Sequence, residues 1–442
     1  MKKILFSSLF ALCSFVLIMI MRAFLPKYSG MLLFFFFFLM ADGYLWLSVR
    51  GKIQKLTKSL SFLATILYWF PIILIFILGG LSFKVSFLDW NIPLRTYLQS
   101  FLLSIFAAKF FPIAGLLTSD LLRLGKMILL RFTGKKNAHL QKVPRPTILL
   151  KTGWVIGLVI FIIMSAGTLF WQFDFRVHTR EIVLKELPKS FNGLKIVQIS
   201  DVHLGSWGSK QKLQEAMEKI NGLHPDVVFF TGDMFNYCTA DGYGFEEILK
   251  TLQAPYGVYA IMGNHDYGDY ISWPSATAKD ENFNELVSFY HRLGWKLLLN
   301  SHDILRKGND SIAVIGVENW GATRRFQRRG DISLAQQGTE SMTTQLLLSH
   351  DPSHWDNRVV KDFPNIDVTF AGHTHGGQVG VDCENLHWSP IQLVYQHWCG
   401  LYKKPGPGAP QYLYVNQGLG NIGYSGRIGI LPEITMIILK KE

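Results

Sequence analysis

Hydrophobic and polar positions divide this chain into two parts with different rhythms. Up to about residue 172, long runs of Phe, Leu and Ile are broken only by short polar stretches. Five of these runs approach the roughly 20 residues that cross a bilayer as a helix. They lie at about 4–21, 31–49, 60–82, 97–118 and 148–171. The first follows Lys2 and Lys3, and no clear small-residue cleavage site comes after it, so it reads as a retained helix, not a signal peptide. Beyond residue 172 the apolar runs shorten to strand length. "LKIVQISDVHLG", "DVVFFTGDMFN", "YGVYAIMGNHDY", "WKLLLN", "SIAVIGVENW", "TQLLLSHDP" and "IDVTFAGHTHGG" each predict a strand, most of them opening into a polar turn. "SKQKLQEAMEKINGL", with Ser209 as N-cap and Gly222 near its end, and "ENFNELVSFYHRLG" predict helices. Residues 1–172 are therefore expected to form a transmembrane helical region, and 173–442 a layered α/β domain.

Charge refines this picture. The net charge of +12 would suit a nucleic-acid binder, but much of the excess flanks the apolar runs, at Arg50, Lys52, Lys55 and Lys58 and from Arg123 to Lys151. Such residues orient membrane segments and face lipid head groups, so a lipid bilayer is the expected partner and nucleic acid is not. The loops at 50–59 and 119–147 are rich in Lys and Arg, which places them in the cytoplasm and, after five crossings, the C-terminal domain outside. That orientation turns on the fourth run, which contains Lys109 and Pro112. Asp42 and Lys109 fall at similar depth in spans read as antiparallel. An ion pair there would lower the cost of both; the alternative places Asp42 and Lys109 near the head groups. The four cysteines, Cys13, Cys238, Cys383 and Cys399, include no CxxC, so neither a thiolate zinc site nor a disulfide framework is indicated. Whether Cys383 and Cys399 pair is left open.

The polar residues after the strands are not scattered. Asp201, His203, Asp233, Asn264, His265, His350, His373 and His375 all lie at or just beyond the C-terminal ends of apolar runs. If those strands run the same way in shared sheets, the eight converge at one edge, where open α/β sheets place their sites. Any one of these turns would be ordinary; five such motifs in order are not. Asp201 and His203, at i and i+2, can lean the same way, as can His373 and His375. Asp233 can bridge two ions, Asn264 offers a neutral oxygen and His350 an imidazole. Mixed nitrogen and oxygen ligands without thiolate suit Mn, Fe or Zn, and the ligand total fits two divalent ions better than one. Two ions about 3.5–4 Å apart can share a hydroxide and clamp phosphoryl oxygens. His265 is then free to protonate a leaving oxygen or steady the transition state, with Asn264 beside it, and Asp266 either orients His265 or turns the loop.

The ordered series Asp201-x-His203, Gly232-Asp233, Gly263-Asn264-His265-Asp266, His350 and Gly372-His373-x-His375 resembles the calcineurin-like metallophosphoesterase superfamily. The resemblance implies a β-sandwich of two mixed sheets flanked by helices. It implies one metal on Asp201, His203, Asp233 and His375, a second on Asp233, Asn264, His350 and His373, and His265 as acid. The apolar N-terminal region, "VENWG", "LSHDPSHW" and "LYVNQGLGNIGYSGRIGILPEI" are similar to a bacterial transmembrane subgroup, which implies the bacterial inner membrane. The activity expected is metal-dependent hydrolysis of a phosphoester or pyrophosphate bond, with lipid-linked substrates among those considered. One alternative is a UDP-2,3-diacylglucosamine pyrophosphohydrolase of lipid A synthesis, to whose family the pattern is akin. Another, of a different class, is a non-catalytic membrane receptor or scaffold, although no expected ligand position is missing. Two stretches could bear on specificity. Arg324, Arg325, Arg328 and Arg329 suit phosphate or a solvated loop, and "LHWSPIQLVYQHWCGLY" suits a membrane-facing lid, an acyl-chain wall or core packing.

Overall fold

A computed structural model describes residue 19 and residues 29–82, 84–133, 145–323, 326–383, 386–406 and 408–442. The first expected span, apart from residue 19, lies outside the described residues, as do Arg324 and Arg325. By contacts the chain divides into two compact units. One comprises Met1–Asp89 and Leu102–Ile162, the other Trp90–Phe101 and Ile163–Glu442.

The four remaining apolar runs are helices: α1 (Ser29–Ile53), α2 (Lys58–Ser82), α3 (Ile92–Phe132) and α4 (Thr147–Leu169). Three helices among the described residues, those starting at Lys58, Ile92 and Thr147, are long and apolar enough to cross a membrane by length and composition. The fourth expected span is one continuous helix of 41 residues with Pro112 inside it. The basic stretch from residue 119, expected as a loop, continues that helix to Phe132. In the first unit Lys109 Nζ lies 2.8 Å from Asp42 Oδ2, with Asp42 only 1% exposed, so the expected ion pair is formed. Lys109 also donates to the Tyr68 carbonyl at 3.2 Å, and the Tyr68 hydroxyl donates to the Asp42 carbonyl at 2.7 Å. Two residues further along α1, Tyr44 donates to Asp120 of α3 at 2.8 Å. The two bonds advance in the same direction along both helices. The two helices run parallel, which corrects the antiparallel expectation.

The second unit holds two six-stranded sheets. The first has the order β1 (Arg176–Leu184), β14 (Glu433–Lys441), β2 (Lys195–Ile199), β3 (Val227–Phe230), β4 (Val258–Ala260), β5 (Lys296–Leu297). The second has the order β12 (Gly400–Lys404), β13 (Gln411–Val415), β9 (Val368–Ala371), β8 (Gln345–Leu348), β7 (Asp310–Gly316), β6 (Ser301–Lys307). A short hairpin, β10 (Val381–Cys383) and β11 (Leu386–Trp388), stands apart. Alternation along each strand assigns its two faces. Val197, Val228 and Phe230 pack with Leu213, Ala216 and Met217 of α5 (Lys210–Asn221) and with Leu286 and Phe289 of α6 (Ala276–Leu293). Ile196, Val227 and Phe229 meet Leu346, Leu348, Val368 and Phe370 of the other sheet. The single open sheet suggested by strand alternation alone is thus a two-sheet sandwich. Ser209 caps α5, accepting from Lys212 N, and Ser275 caps α6 in the same way, accepting from Ala278 N.

Parallel pairing decides where the site lies. β2, β3, β4 and β5 run parallel, and so do β7, β8, β9 and β13. Each set therefore releases its loops at one edge. Buried Gln198 of β2 ties the two edges together: its Nε2 donates to the Ala371 carbonyl at the end of β9 at 2.8 Å, and to Thr231 Oγ1 at 3.1 Å.

Candidate metal centre

The loop after β2 carries Asp201 and His203, those after β3 and β4 carry Asp233 and Asn264–His265, and those after β8 and β9 carry His350 and the His373–His375 pair. The convergence is real, but strand alternation does not produce it. Asp201, His203, Asp233, His373 and His375 all have left-handed backbone, with φ between 48° and 72°, and only three other non-glycine residues among those described share it. Each such conformer costs on the order of 1–3 kcal/mol, so the surroundings must enforce it. Cross-loop bonds do this: Asp201 N donates to the Gly232 carbonyl at 2.9 Å, His203 N to that of Asp233 at 3.1 Å, and Gly372 N to that of His350 at 2.9 Å. At Gly263 and Gly372 a Cβ would collide with the Asp233 and Asp201 carboxylates respectively.

Two clusters result. In the first, Asp201, His203 and His375 converge. His203 Nε2 is 3.0 Å from His375 Nε2, which is 3.3 Å from Asp201 Oδ1. In the second, Asp233, His350 and His373 converge. His350 Nε2 is 3.2 Å from Asp233 Oδ2 and 3.3 Å from His373 Nδ1. Asp233 Oδ2 is also 3.6 Å from His203 Nε2, so one carboxylate faces both clusters.

The rings are set for coordination. His203 Nδ1 bonds the Phe235 carbonyl at 3.1 Å, and His350 Nδ1 bonds the Thr231 carbonyl at 2.7 Å. A carbonyl only accepts, so Nδ1 carries a hydrogen in both rings and Nε2 is the nitrogen that faces the cluster. Burial holds His203 down to about 3 and His373 to about 4, and keeps His375 well below the ordinary imidazole range. Burial also opposes charge on His350, but the Asp233 carboxylate outweighs it and raises that ring to about 10. Burial likewise pushes Asp201 up to about 7. It works against the charge on Asp233 too, yet His350 and His265 hold that carboxyl well below its usual range.

Asn264 supplies the test of fit. Its Nδ2 donates to the Tyr270 hydroxyl at 2.7 Å, while its buried Oδ1 accepts nothing. A buried acceptor left bare costs about 1–3 kcal/mol, and a cation would satisfy it. With this oxygen, two carboxylates and four imidazoles, the donor set suits divalent transition ions.

His265 is 8% exposed, stacks on Tyr270 with ring centroids 3.9 Å apart, and stands edge-on to His203 at 4.9 Å. Its Nδ1 bonds the Asn236 carbonyl at 2.7 Å, which leaves Nε2 for a substrate. Asp266 does not orient this ring. Its carboxylate accepts from the backbone N–H groups of Asp233, Met234, Phe235 and Gly263 at 2.9–3.2 Å. Of the two roles expected, these bonds match the structural one: four backbone donors hold its oxygens, and it clamps the loop.

Several contributors escaped the sequence. The Tyr395 hydroxyl meets His373 Nε2 at 2.7 Å, and Asp351 Oδ2 lies 3.7 Å from the same nitrogen. Tyr395 comes from the aromatic stretch 386–402, which serves several ends. Trp398 is buried, Leu393 is 83% exposed, and one tyrosine reaches the site. Arg427, fully buried, donates to the carbonyls of His375, Gln417, Gly418 and Gly420, fixing the loop over the first cluster. The loop that holds Asn236 has its own anchor. Asp241 Oδ2 accepts from Tyr237 N at 2.8 Å, and its Oδ1 pairs with Arg95 at 2.6 Å. Arg95 also donates to the Gly205 carbonyl, 3.2 Å away, two residues past His203. Arg328 stacks over Trp320 and Arg329 over Tyr267. Cys383 and Cys399 are both free thiols.

Residues 194–377 match the family described as calcineurin-like phosphoesterase. That stretch is a calcineurin-like phosphoesterase domain. Among its relatives is the Danio rerio "Transmembrane protein with metallophosphoesterase domain", 32% identical over 270 residues, which cover 59% of this chain and 56% of that protein. The "Uncharacterized metallophosphoesterase YkuE" of Bacillus subtilis is 29% identical over 276 residues, covering 60% of this chain and 86% of the relative. The "UDP-2,3-diacylglucosamine pyrophosphatase LpxG" of Chlamydia muridarum is 28% identical over 284 residues, covering 53% and 81%. The chain spans little more than half of the Danio rerio protein and of its Bos taurus counterpart.

Proposed function

We propose that this calcineurin-like phosphoesterase is a membrane-anchored hydrolase of phosphoesters or pyrophosphates that works with two divalent ions, Mn, Fe or Zn. The observation that carries the reading is the pair of buried clusters sharing Asp233, with Asn264 Oδ1 bare beside them. Asp201, His203, Asp233 and His375 would hold one ion, and Asp233, Asn264, His350 and His373 the other. When bound, the ions would supply Lewis acidity toward the phosphoryl group and an activated water.

The rest of the chemistry belongs to the chain. The Phe235 and Thr231 carbonyls fix the tautomers of His203 and His350. The Asn236 carbonyl fixes His265, which delivers a proton from Nε2 to the departing oxygen. Tyr270 holds both His265 and Asn264, so the acid and the neutral ligand move together. The catalytic region is assigned to 173–442, on the outer face of a bacterial inner membrane. The excess of Lys and Arg at 50–59 and 119–147 supports that side. A phosphoester near the bilayer, lipid-linked in one version, is the substrate class the layout favours.

Purified full-length protein in detergent should contain about two divalent ions per chain by elemental analysis. It should hydrolyse p-nitrophenyl phosphate or its diester with Mn²⁺. Protein without bound metal and without activity on either ester would defeat the reading. A C-terminal reporter that is active only when exported should be active; activity of a reporter that works only in the cytoplasm would overturn the assigned side.

A further inference from the structure

The hairpin of β10 and β11 has two unlike faces. Residues directly opposite in an antiparallel pair share a face. Asp382 stands opposite His387, while Val381 and Cys383 stand opposite Trp388 and Leu386. The first face is tied down. His387 Nδ1 bonds Asp382 Oδ1 at 2.9 Å, its Nε2 meets Cys399 Sγ at 2.7 Å, and its ring stacks on the buried Trp398. The second face turns outward, with Val381, Leu386 and Trp388 40–53% exposed. The turn that follows adds Leu393 and Val394, 83% and 69% exposed. Five large apolar side chains bared within one short stretch mark an interaction face.

The neighbours of this face indicate what covers it. Val379, just before the hairpin, bridges to Ile428 and Gly429, and Gly380 N donates to the Ile428 carbonyl at 2.8 Å. The loop that supplies Ile428 also meets the last turns of α4. The Tyr424 hydroxyl donates to the Met164 carbonyl, and Arg427 N donates to the Gly167 carbonyl at 3.3 Å. A Cβ at Gly167 would strike the Arg427 carbonyl, so loop and helix are packed as closely as backbone allows. The same loop meets the first turns of α3. Gln99 Nε2 donates to the Gly423 carbonyl at 3.1 Å, and Ser100 Oγ accepts from Ser425 N at 3.1 Å. Both helices are long and apolar enough to cross a membrane. One loop therefore joins the hairpin to the start of one span and the end of another. α4 itself closes on exposed Leu169 and Phe170.

A tryptophan and several leucines and valines beside the ends of two spans form the composition of a head-group boundary. A soluble partner would have to cover the hairpin without touching the lipid beside it. We propose that β10, β11 and the turn through Val394 dock into the head-group layer of the bilayer that α3 and α4 cross. The inference rests on the membrane-anchored reading above and adds a second lipid contact, made by the sandwich unit itself. The docked segment ends at the metal centre. Val394 precedes Tyr395, whose hydroxyl meets His373 Nε2 at 2.7 Å. Lipid contact thus bears on the second cluster through one peptide bond.

The test uses the full-length chain with its exposed Cys383 changed to serine, Cys383→Ser, in nanodiscs of phosphatidylcholine and phosphatidylglycerol. An environment-sensitive fluorophore is attached at one added cysteine, and the labelled parent chain gives the background of the remaining thiols. Leu386→Cys and Leu393→Cys probe the docking face, and Val159→Cys probes the middle of α4, where the side chain is 47% exposed. Asn309→Cys, exposed in the β6–β7 turn, is the distant control. Its neighbour Asp310 accepts from Ser190 N, beyond the far end of β1, and that strand runs about 30 Å from its start near α4. A lipid quencher about 5–10 Å below the head groups should remove about half of the emission at Leu386→Cys and Leu393→Cys and spare Asn309→Cys. Quenching at either docking position no greater than at Asn309→Cys overturns the inference. Val159→Cys then separates the two readings. Quenched, it leaves the membrane-anchored reading standing; unquenched, it defeats both. Blue-shifted emission at Leu393→Cys that the lipid quencher does not reach would assign the face to a protein partner or a second copy, and overturns the inference as well.

Discussion

Two of the places where this molecule buries charge are built on opposite plans. In the helical unit, Asp42 and Lys109 face each other at 2.8 Å, and Tyr68 and its backbone take up further capacity. Asp42, Lys109 and Tyr68 each have a partner there. In the sandwich unit, two carboxylates and four imidazoles crowd together, and the Asn264 oxygen accepts nothing. A closed pair offsets its own desolvation cost and is a structural device. An open cluster of donors stays costly until something arrives to share them, and so marks a place of chemistry. Burial alone does not distinguish the two; satisfaction does.

The comparison can be broken at four points, from the largest expected effect to the smallest. Asp233→Asn removes the one carboxylate that faces both clusters. Activity should fall at least about 1,000-fold, and metal content, read by elemental analysis, should drop below two ions per chain. His265→Ala should cost about 100- to 1,000-fold in kcat while the metal content stays whole, because that ring belongs to neither cluster. An equal loss of metal would mean that His265 is a ligand after all. In the helical unit, Lys109→Met leaves the Asp42 carboxylate uncompensated, at a cost of about 3–5 kcal/mol of stability by thermal unfolding in detergent. Adding Asp42→Asn should restore most of the loss, as a closed pair demands; a double variant no better than the single would show that the pair does more than close. Tyr395→Phe removes a hydroxyl 2.7 Å from His373 Nε2 and should weaken metal binding about tenfold, measured by chelator competition.

Most of the candidate centre was legible in the chain because the residues that converge there sit in short motifs at strand ends. Five such motifs in a fixed order name their chemistry before any distance is known. The sandwich was less legible. Strand alternation predicts strands but not how many sheets they form, and β1, β6 and the closing strands gave no motif to mark them. The roles missed share a cause. Tyr395, Asp351, Arg427 and Arg95 act across long sequence separations, and each alone reads as an ordinary residue. Asp266 was misjudged in part for the converse reason. Adjacency to His265 left two readings open, orienting that ring or turning the loop, and folding turned the carboxylate toward four backbone amides.

Arg95 bears on how the protein can be handled in the laboratory. The compact sandwich unit is not one continuous stretch, because it includes Trp90–Phe101 as well as Ile163–Glu442. A soluble fragment cut to begin after α4 would look complete on a chain map. It would lack the guanidinium that meets Asp241 and the Tyr97 ring that fills the space above Gly208. The loop that presents the Asn236 carbonyl to His265 would then be held by a buried acid with no counter-charge. A weak assay from such a fragment would describe the cut, not the protein. The remedy is to keep the first turns of α3, fused or supplied as a peptide.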